Sequence, residues 1–372
     1  ASCAEFSGKK ASLCLNKMHK YAINSTNILT FEPKMIKWNK YYFRDLGGIY
    51  MNVKTIGVLT SGGDAPGMNA AVRAVVRTAL SKGMRVKGIY RGYNGLIEGD
   101  IVEMTLRDVS DIIHRGGTVL YTARSPMFKT EEGMKLAIDN CKKFGISGIV
   151  VIGGDGSYRG ARDLSMRGIP CVGLPGTIDN DISSTDYTIG FDTAMNTAME
   201  MVDKLRDTTQ SHERCSVVEV MGRRAGWIAL ESGIAVGATA ILVPEVPFNL
   251  DRDVIAKIQK TQQSGKKHFI IIVAEGVGEV QKLADEIEKK TGIESRATVL
   301  GHVQRGGSPT VRDREMASCM GYYAVELLSR GIGNRVVSYR NGKILDYDIY
   351  EALNMVKPFD VDKFKIANVI SI

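Results

Sequence analysis

The stretch "GISGIVVIGGDGSYRGARDLSMRG", Gly145 to Gly168, runs from an apolar β-branched segment through a glycine loop into an amphipathic segment. It reads as strand, turn and helix, with the helix opening at Tyr158. The same unit recurs outward from it. Upstream, "TIGVLT" from Thr55 leads through "SGGDAPGMN" into the helix "AAVRAVVRTALSKG", and "VKGIY" follows. Downstream, "IPCVGLPGT", "CSVVEVMG" and "HFIIIVAEG" are apolar runs that each end in glycine or a polar loop. Near-continuous apolar strands separated by helices predict an α/β fold with mostly parallel sheets covered on both faces. No short-period repeat is present, and the changeover between two successive halves is expected near "TIGFDTA", Thr188 to Ala194. Ligands in such folds sit beyond the carboxyl ends of the strands, and every motif below follows a strand.

Two glycine loops stand at those ends. "SGGDAPGMN" spaces Gly62 and Gly67 like half of a P-loop, but Met68-Asn69 stand where Lys-Ser/Thr would be needed, so it is not a Walker A site. "GGDGSYRG", Gly153 to Gly160, is one residue too long for the dinucleotide fingerprint and has Asp155 inside it. Each loop is compatible with a plain tight turn. Glycine also lets a strand-to-helix turn aim free N–H groups at an anion. An acid among phosphate-facing amides makes sense if Mg²⁺ lies between Asp155 and the phosphates.

"PGTIDNDI", Pro175 to Ile182, sets Asp179 and Asp181 two residues apart beside the hydroxyl of Thr177. A metal site, a general base and a solvated Asx turn all remain open for this pair. Phosphoryl transfer to an alcohol would use a base, a metal and cations on the equatorial oxygens. Cations are available in Arg124 of "YTARSP", Arg214 of "SHERC", Arg223 of "MGRRAG", Arg296 of "ESRAT" and Arg305 of "VQRGG". Singly each reads as a surface ion pair; several together suit a phosphate dianion. His302 follows a β-branched run, where a structural role is the ordinary one.

The whole chain bounds these readings. Its 372 residues allow two or three domains, and 44% hydrophobic with 24% charged residues is ordinary for a soluble protein. No run approaches the roughly 18–20 apolar residues of a membrane span. Six scattered cysteines without a C-x-x-C pair fit reduced thiols and a cytoplasmic setting. The formal charge is +8, of which residues 1–50 hold a surplus of five. About +3 is left for the rest, which calls for no nucleic acid. Residues 1–50 lack sustained periodicity and a signal-peptide apolar core. Met51 is expected to be the native start, with translated upstream sequence or a scar before it; a targeting leader is the alternative.

Taken together, "GVLTSGGDAPGMNAA", "VVIGGDGSYRGA", "PGTIDNDI", "SSTDYTIGFDTA", "VVEVMGR" and "RATVLGHVQRGGSP" resemble the bacterial-type ATP-dependent 6-phosphofructokinases, the phosphofructokinase A family. The likeness runs from Met51 to nearly the end. It implies two Rossmann-like three-layer domains with the active site in the cleft between them. The implied division is a leader 1–50, a larger ATP-binding domain 51–190 plus about 304–353, and a smaller fructose-6-phosphate-binding domain of about 191–303 plus 354–372.

The resemblance also implies roles. Asp179 would deprotonate the 1-hydroxyl of fructose 6-phosphate, Thr177 and Asp181 would flank the transferring phosphate, and Asp155 and Asp181 would serve Mg²⁺. Gly63, Tyr93, Arg124, Ser125, Gly154, Asp155, Gly156, Ser157 and Gly160 would hold ATP, and Arg124 and Arg223 would face the transferred group. The sugar phosphate would meet Thr177, Ile178, Asp179, Met221, Gly222, Arg223, Glu275, His302, Val303, Gln304 and Arg305. Arg214 and Arg296 would come from a neighbouring subunit of a homotetramer. Gly156 and Gly176 stand where pyrophosphate-dependent relatives carry Asp and Lys, which favours ATP. NAD and lipid kinases share "GGDG" but leave "PGTIDND" unexplained.

Arg73 and Arg77, four apart on one helix face, read alone as a solvated basic stripe. In the family this pair, with Arg107, Asp111, Arg206, Gly237, Lys266 and His268, implies a site for ADP or phosphoenolpyruvate. Leu106, Thr239 and Ser264 depart from the usual effector-site pattern, so weak Mg-ADP activation is expected.

Overall fold

The computed structural model describes residues 54–371, so the question of a native start at Met51 lies outside the described residues. Two sheets carry the fold. The first is built on β1 (Thr55–Ser61), whose seven residues are all buried, flanked in parallel by β2 (Arg85–Ile89) and β4 (Gly148–Gly153). Beyond β2 lies the short antiparallel β3 (Ile101–Glu103), and β5 (Cys171–Pro175) pairs in parallel with β4. The second sheet is entirely parallel. Its order is β7 (Ala240–Leu242), β8 (Phe269–Ala274), β6 (Cys215–Val220) and β9 (Ser295–Val299).

Alternation within the strands is lost because both faces are covered. Val150, Val151 and Ile152 are all fully buried, as are Ile271, Ile272 and Val273. Helix α1 (Met68–Ser81) buries Val72, Val75, Val76 and Ala79 beside β1, at the helical spacing read from the sequence. Further helices are α2 (Tyr93–Glu98), α3 (Glu131–Lys143) and α4 (Asp155–Ser165). Helix α4 begins three residues before the expected Tyr158. The carbonyl of Gly154 accepts from Ser157 N (2.9 Å) and Tyr158 N (3.1 Å), which draws Asp155 into the first turn. An acid there suits the positive end of the helix dipole.

The chain crosses to the second sheet along α5 (Phe191–Ser211). Helices α6 (Trp227–Ala235), α7 (Ala256–Gln263) and α8 (Val280–Thr291) separate the strands there. It then returns through α9 (Val311–Ser329), packed on α1, to β10 (Arg335–Arg340) and β11 (Lys343–Asp348) at the edge of the first sheet. These last two form an antiparallel hairpin turned at Asn341-Gly342, both with positive φ. After α10 (Ile349–Asn354), residues 355–360 pass to α11 (Val361–Ile370), which packs against α6.

Candidate active site

Strand β5 delivers the carboxylate turn. Directly after it, Gly176 pairs with Ile189, and the chain turns through Thr177 to Asp181 with Asn180 at φ +50°. The hydroxyl of Thr177 accepts from Asp179 N at 3.2 Å, closing a short turn. Asp179 is only 6% exposed, and its Oδ1 has no hydrogen-bond partner within the protein. A buried carboxylate oxygen without a partner is costly, so such groups point to a task. Burial, then the neighbouring Asp181, pushes its pKa from 3.8 to about 6; Arg305 and Arg223 oppose the rise and Glu275 adds to it.

Asp155, at the start of α4, also faces Asp181. Burial and that neighbour raise its pKa, while Arg159 and Arg223 hold it back. Asp181 is raised by burial against the pull of Arg223 and Lys357. The carboxylates from β4 and β5 and the arginines after β6 and β9 therefore share one site, at the carboxyl ends of both sheets. Among the described residues, no group of three or more His, Cys, Asp or Glu could hold a metal by itself. Two carboxylates fit a Mg²⁺ that arrives on nucleotide phosphates, since that ion keeps water and phosphate ligands.

From the second sheet, Arg223 follows β6 at φ +58° and its N–H donates to Glu275 Oε2 at 2.9 Å. Met221 N donates to Gln304 Oε1 at 2.7 Å, and Gln304 is fully buried. That makes Gln304 a pin between two loops. Ile178 is also fully buried and can offer a ligand only its backbone, whereas His302 and Val303 are exposed. Arg305 crosses to the first glycine loop, where its Nη1 donates to Asp64 O at 3.1 Å. A Cβ on Gly63 would lie 2.5 Å from that nitrogen, so the glycine makes the crossing possible.

The nucleotide-loop residues divide in the same way. The Ser157 hydroxyl donates to Ser61 O at 3.0 Å and ties α4 to β1. Tyr93 is buried, donates to Ser157 O at 2.6 Å and stacks on Phe128 with ring centroids 4.0 Å apart. Gly160 leaves room for it, because a Cβ there would meet the Tyr93 ring at 2.7 Å. Gly154 and Gly156 face open space. A Cβ on Gly176 would instead meet Ile152 at 3.0 Å and Met68 at 3.1 Å, so that position looks into the core. Ser125 Oγ is buried without a partner, and Arg124 is exposed, its carbonyl accepting from Asn94 at 3.5 Å.

Arg214 and Arg296 are not brought to the carboxylates. Arg214 precedes β6, whose far end leads to Arg223 some 20 Å away at strand rise. Both guanidinium groups are held by Glu294, Arg214 Nε at 2.6 Å and Arg296 Nε at 2.9 Å. The effector-site candidates form separate groups. Arg206, Lys266 and His268 gather near the amino end of β8, where burial and mutual repulsion hold the last two pKa values down. Arg206 also donates to the carbonyl of Val236, next to Gly237. Arg73 and Arg77 lie on α1 and Arg107 and Asp111 after β3, against the other sheet. Thr239 is fully buried with an unpartnered hydroxyl.

One residue at the site lies outside the sequence motifs. Lys357 Nζ donates to Asn180 O (2.8 Å) and Oδ1 (3.0 Å), and burial brings its ammonium down to about 8.

Phosphoryl-transfer chemistry is what such an arrangement can do: a buried proton acceptor, two further acids, and the positive charges of Arg223 and Arg305 acting on them. Residues 55–328 match the family model for phosphofructokinase, and the chain belongs to that family. An ATP-dependent 6-phosphofructokinase from Clostridium botulinum is 58% identical over 319 residues, covering 86% of this chain and all of the relative. Its counterpart from Bacillus velezensis is 56% identical over 320 residues, again 86% of this chain and all of the other. The phosphofructokinase structure from Saccharomyces cerevisiae superposes with a TM-score of 0.76 at 36% identity, over 85% of this chain. This chain spans about half the length of that yeast chain, 46%.

Proposed function

We propose that Asp179 is the general base in phosphoryl transfer from ATP to the 1-hydroxyl of fructose 6-phosphate, yielding fructose 1,6-bisphosphate and ADP. The transfer itself is the ATP-dependent 6-phosphofructokinase reaction of glycolysis. The observation that carries the residue assignment is the unpartnered, buried Oδ1 of Asp179 with its pKa raised to about 6. Such a group is ionised at neutral pH yet basic enough to take a proton in the transition state. The sugar hydroxyl gives its proton to Asp179 as its oxygen bonds to the γ-phosphorus. The bond to the bridging oxygen breaks, and its electron pair leaves with ADP.

Arg223 faces the carboxylates, and it and Arg124 are assigned to the charge on the transferring group. Asp155 and Asp181 would hold the Mg²⁺, which supplies charge neutralisation across the phosphates. Glycine at 154 and 156 leaves the nucleotide's phosphates an open approach to the start of α4. The sugar phosphate is assigned to the loops after β6 and β9, through Met221, Gly222, Glu275, His302 and Arg305. The larger domain is assigned to residues 51–190 plus about 304–353, and the smaller to about 191–303 plus 354–372.

Arg214 and Arg296, at the opposite end of the second sheet, are assigned to a neighbouring subunit's sugar phosphate in a homotetramer. The Arg206, Lys266 and His268 group, completed across a subunit contact by Arg73, Arg77, Arg107 and Asp111, is assigned to ADP or phosphoenolpyruvate. No helix among the described residues is long and apolar enough to cross a membrane, and a cytoplasmic location is proposed. A coupled assay with ATP or pyrophosphate as donor tests the reading. Turnover with ATP alone is expected; preferential use of pyrophosphate would overturn it.

A further inference from the structure

The carboxylate turn is fastened from an unexpected direction. Asn180 stands between Asp179 and Asp181 in a left-handed conformation, φ +50°. Asparagine takes up that conformation more readily than other non-glycine residues, because its short polar side chain can hydrogen-bond locally. Its side-chain amide donates to Asp186 O at 3.3 Å. The stronger restraint is Lys357 Nζ, which reaches the Asn180 carbonyl at 2.8 Å and its Oδ1 at 3.0 Å. The carbonyl belongs to the peptide that leads into Asp181, so anchoring it fixes where the second carboxylate leaves the turn.

Lys357 lies on neither sheet. It sits in residues 355–360, which lead from α10, beside the first sheet, to α11, packed against α6 of the second. The same ammonium lies 5.1 Å from the centre of the Trp227 ring, at the start of α6. Trp227 packs in turn on Phe359, centroids 5.4 Å apart, and Phe359 on Phe364 at 6.0 Å. Lys363 closes the attachment with a 2.6 Å ion pair to Glu231 on α6. One cation thus bridges the turn that carries the acids and the helix that follows the Arg223 loop. Charge-assisted hydrogen bonds and a cation over an indole are each directional enough to hold such a bridge.

We propose that Lys357 is a positioning residue for catalysis: it fixes the Asn180–Asp181 peptide and sets the carboxylate turn against the Arg223 side of the crevice. The inference rests on the reading of Asp179 as the base. Such a residue acts on the geometry of the transition state more than on ground-state affinity. The test is steady-state kinetics of the full chain carrying Lys357→Met or Lys357→Arg, with ATP and fructose 6-phosphate each varied and thermal melts alongside. Lys357→Met should lower kcat about 10-fold or more, the scale of a lost hydrogen bond from a charged donor. Both KM values should stay within about threefold, with melting little changed. Lys357→Arg, which keeps the charge and can donate to both Asn180 oxygens, should retain clearly more of kcat than Lys357→Met.

A Met variant within twofold of the wild-type kcat overturns the proposal. So does equal impairment of both variants, or a loss that tracks a lowered melting temperature. If the Met variant does not fold, Lys357→Gln is read by the same criteria, and failure of both to fold assigns the residue a purely structural part. An active Asp179→Ser enzyme would remove the base reading whatever Lys357 does. A dead Asp179→Ser beside a fully active Lys357→Met would remove only this inference.

Discussion

Replacing Asp179 by Asn should make the protein more stable while removing its activity. Burial, then Asp181, lifts the folded-state pKa from 3.8 to about 6. The native state therefore binds this proton more tightly than the unfolded chain does. Its contribution to stability is fully present below about pH 4 and is lost as the pH rises through about 6. At 1.36 kcal/mol per pKa unit, the ionised carboxylate costs the folded state at most about 3 kcal/mol at neutral pH. Asparagine keeps the shape and removes the charge. Urea denaturation of both proteins, without nucleotide or Mg²⁺, should show no advantage for Asp179→Asn near pH 4. A gain of about 1–3 kcal/mol should develop by pH 7–8. A difference independent of pH, or a variant less stable than wild type at pH 8, would refute the reasoning that this carboxylate is held in an unfavourable setting for its task.

Two further expectations concern the donor and the effectors. Gly156 faces open space while Gly176 faces Ile152 and Met68. Gly156→Asp should therefore depress kcat/KM for ATP at unchanged melting temperature, through a carboxylate near nucleotide phosphates. Gly176→Lys should lower the melting temperature by overpacking; unchanged ATP kinetics in the first or unchanged melting in the second would contradict this. Titrating effectors at subsaturating fructose 6-phosphate should show weak activation by Mg-ADP, because Thr239 supplies no carboxylate to the metal, and binding of phosphoenolpyruvate partly retained through Arg73, Arg77 and Arg206. Strong Mg-ADP activation would sink that expectation.

What could be read in the sequence follows from how local each signal is. The strands around Val150 and Ile271 are legible because burial on both faces leaves continuous apolar runs. The carboxylates of "PGTIDNDI" and the loop of "GGDGS" are legible because their chemistry lies within a few residues. Contacts between distant segments are less so. Gln304 sits inside a recognisable motif, yet its burial against Met221 depends on how the loops after β6 and β9 meet. The bond from the Ser157 hydroxyl to Ser61 and the packing of Tyr93 on Gly160 likewise join segments far apart in the chain. "RNGK", at Arg340 to Lys343, carries the chemistry of a two-residue hairpin turn. Nothing local tells which sheet edge the hairpin joins. Lys357 had no signal: it follows a valine and precedes a proline in a short connector, 177 residues from its partner Asn180.

The central claim is that Asp179 takes the proton from the sugar hydroxyl. The most direct measurement is kcat of Asp179→Ser with saturating ATP, Mg²⁺ and fructose 6-phosphate, alongside equilibrium binding of each substrate. Loss of a general base predicts a fall of about 10²–10⁴-fold with binding largely kept. A serine variant within tenfold of the wild-type kcat would contradict the assignment.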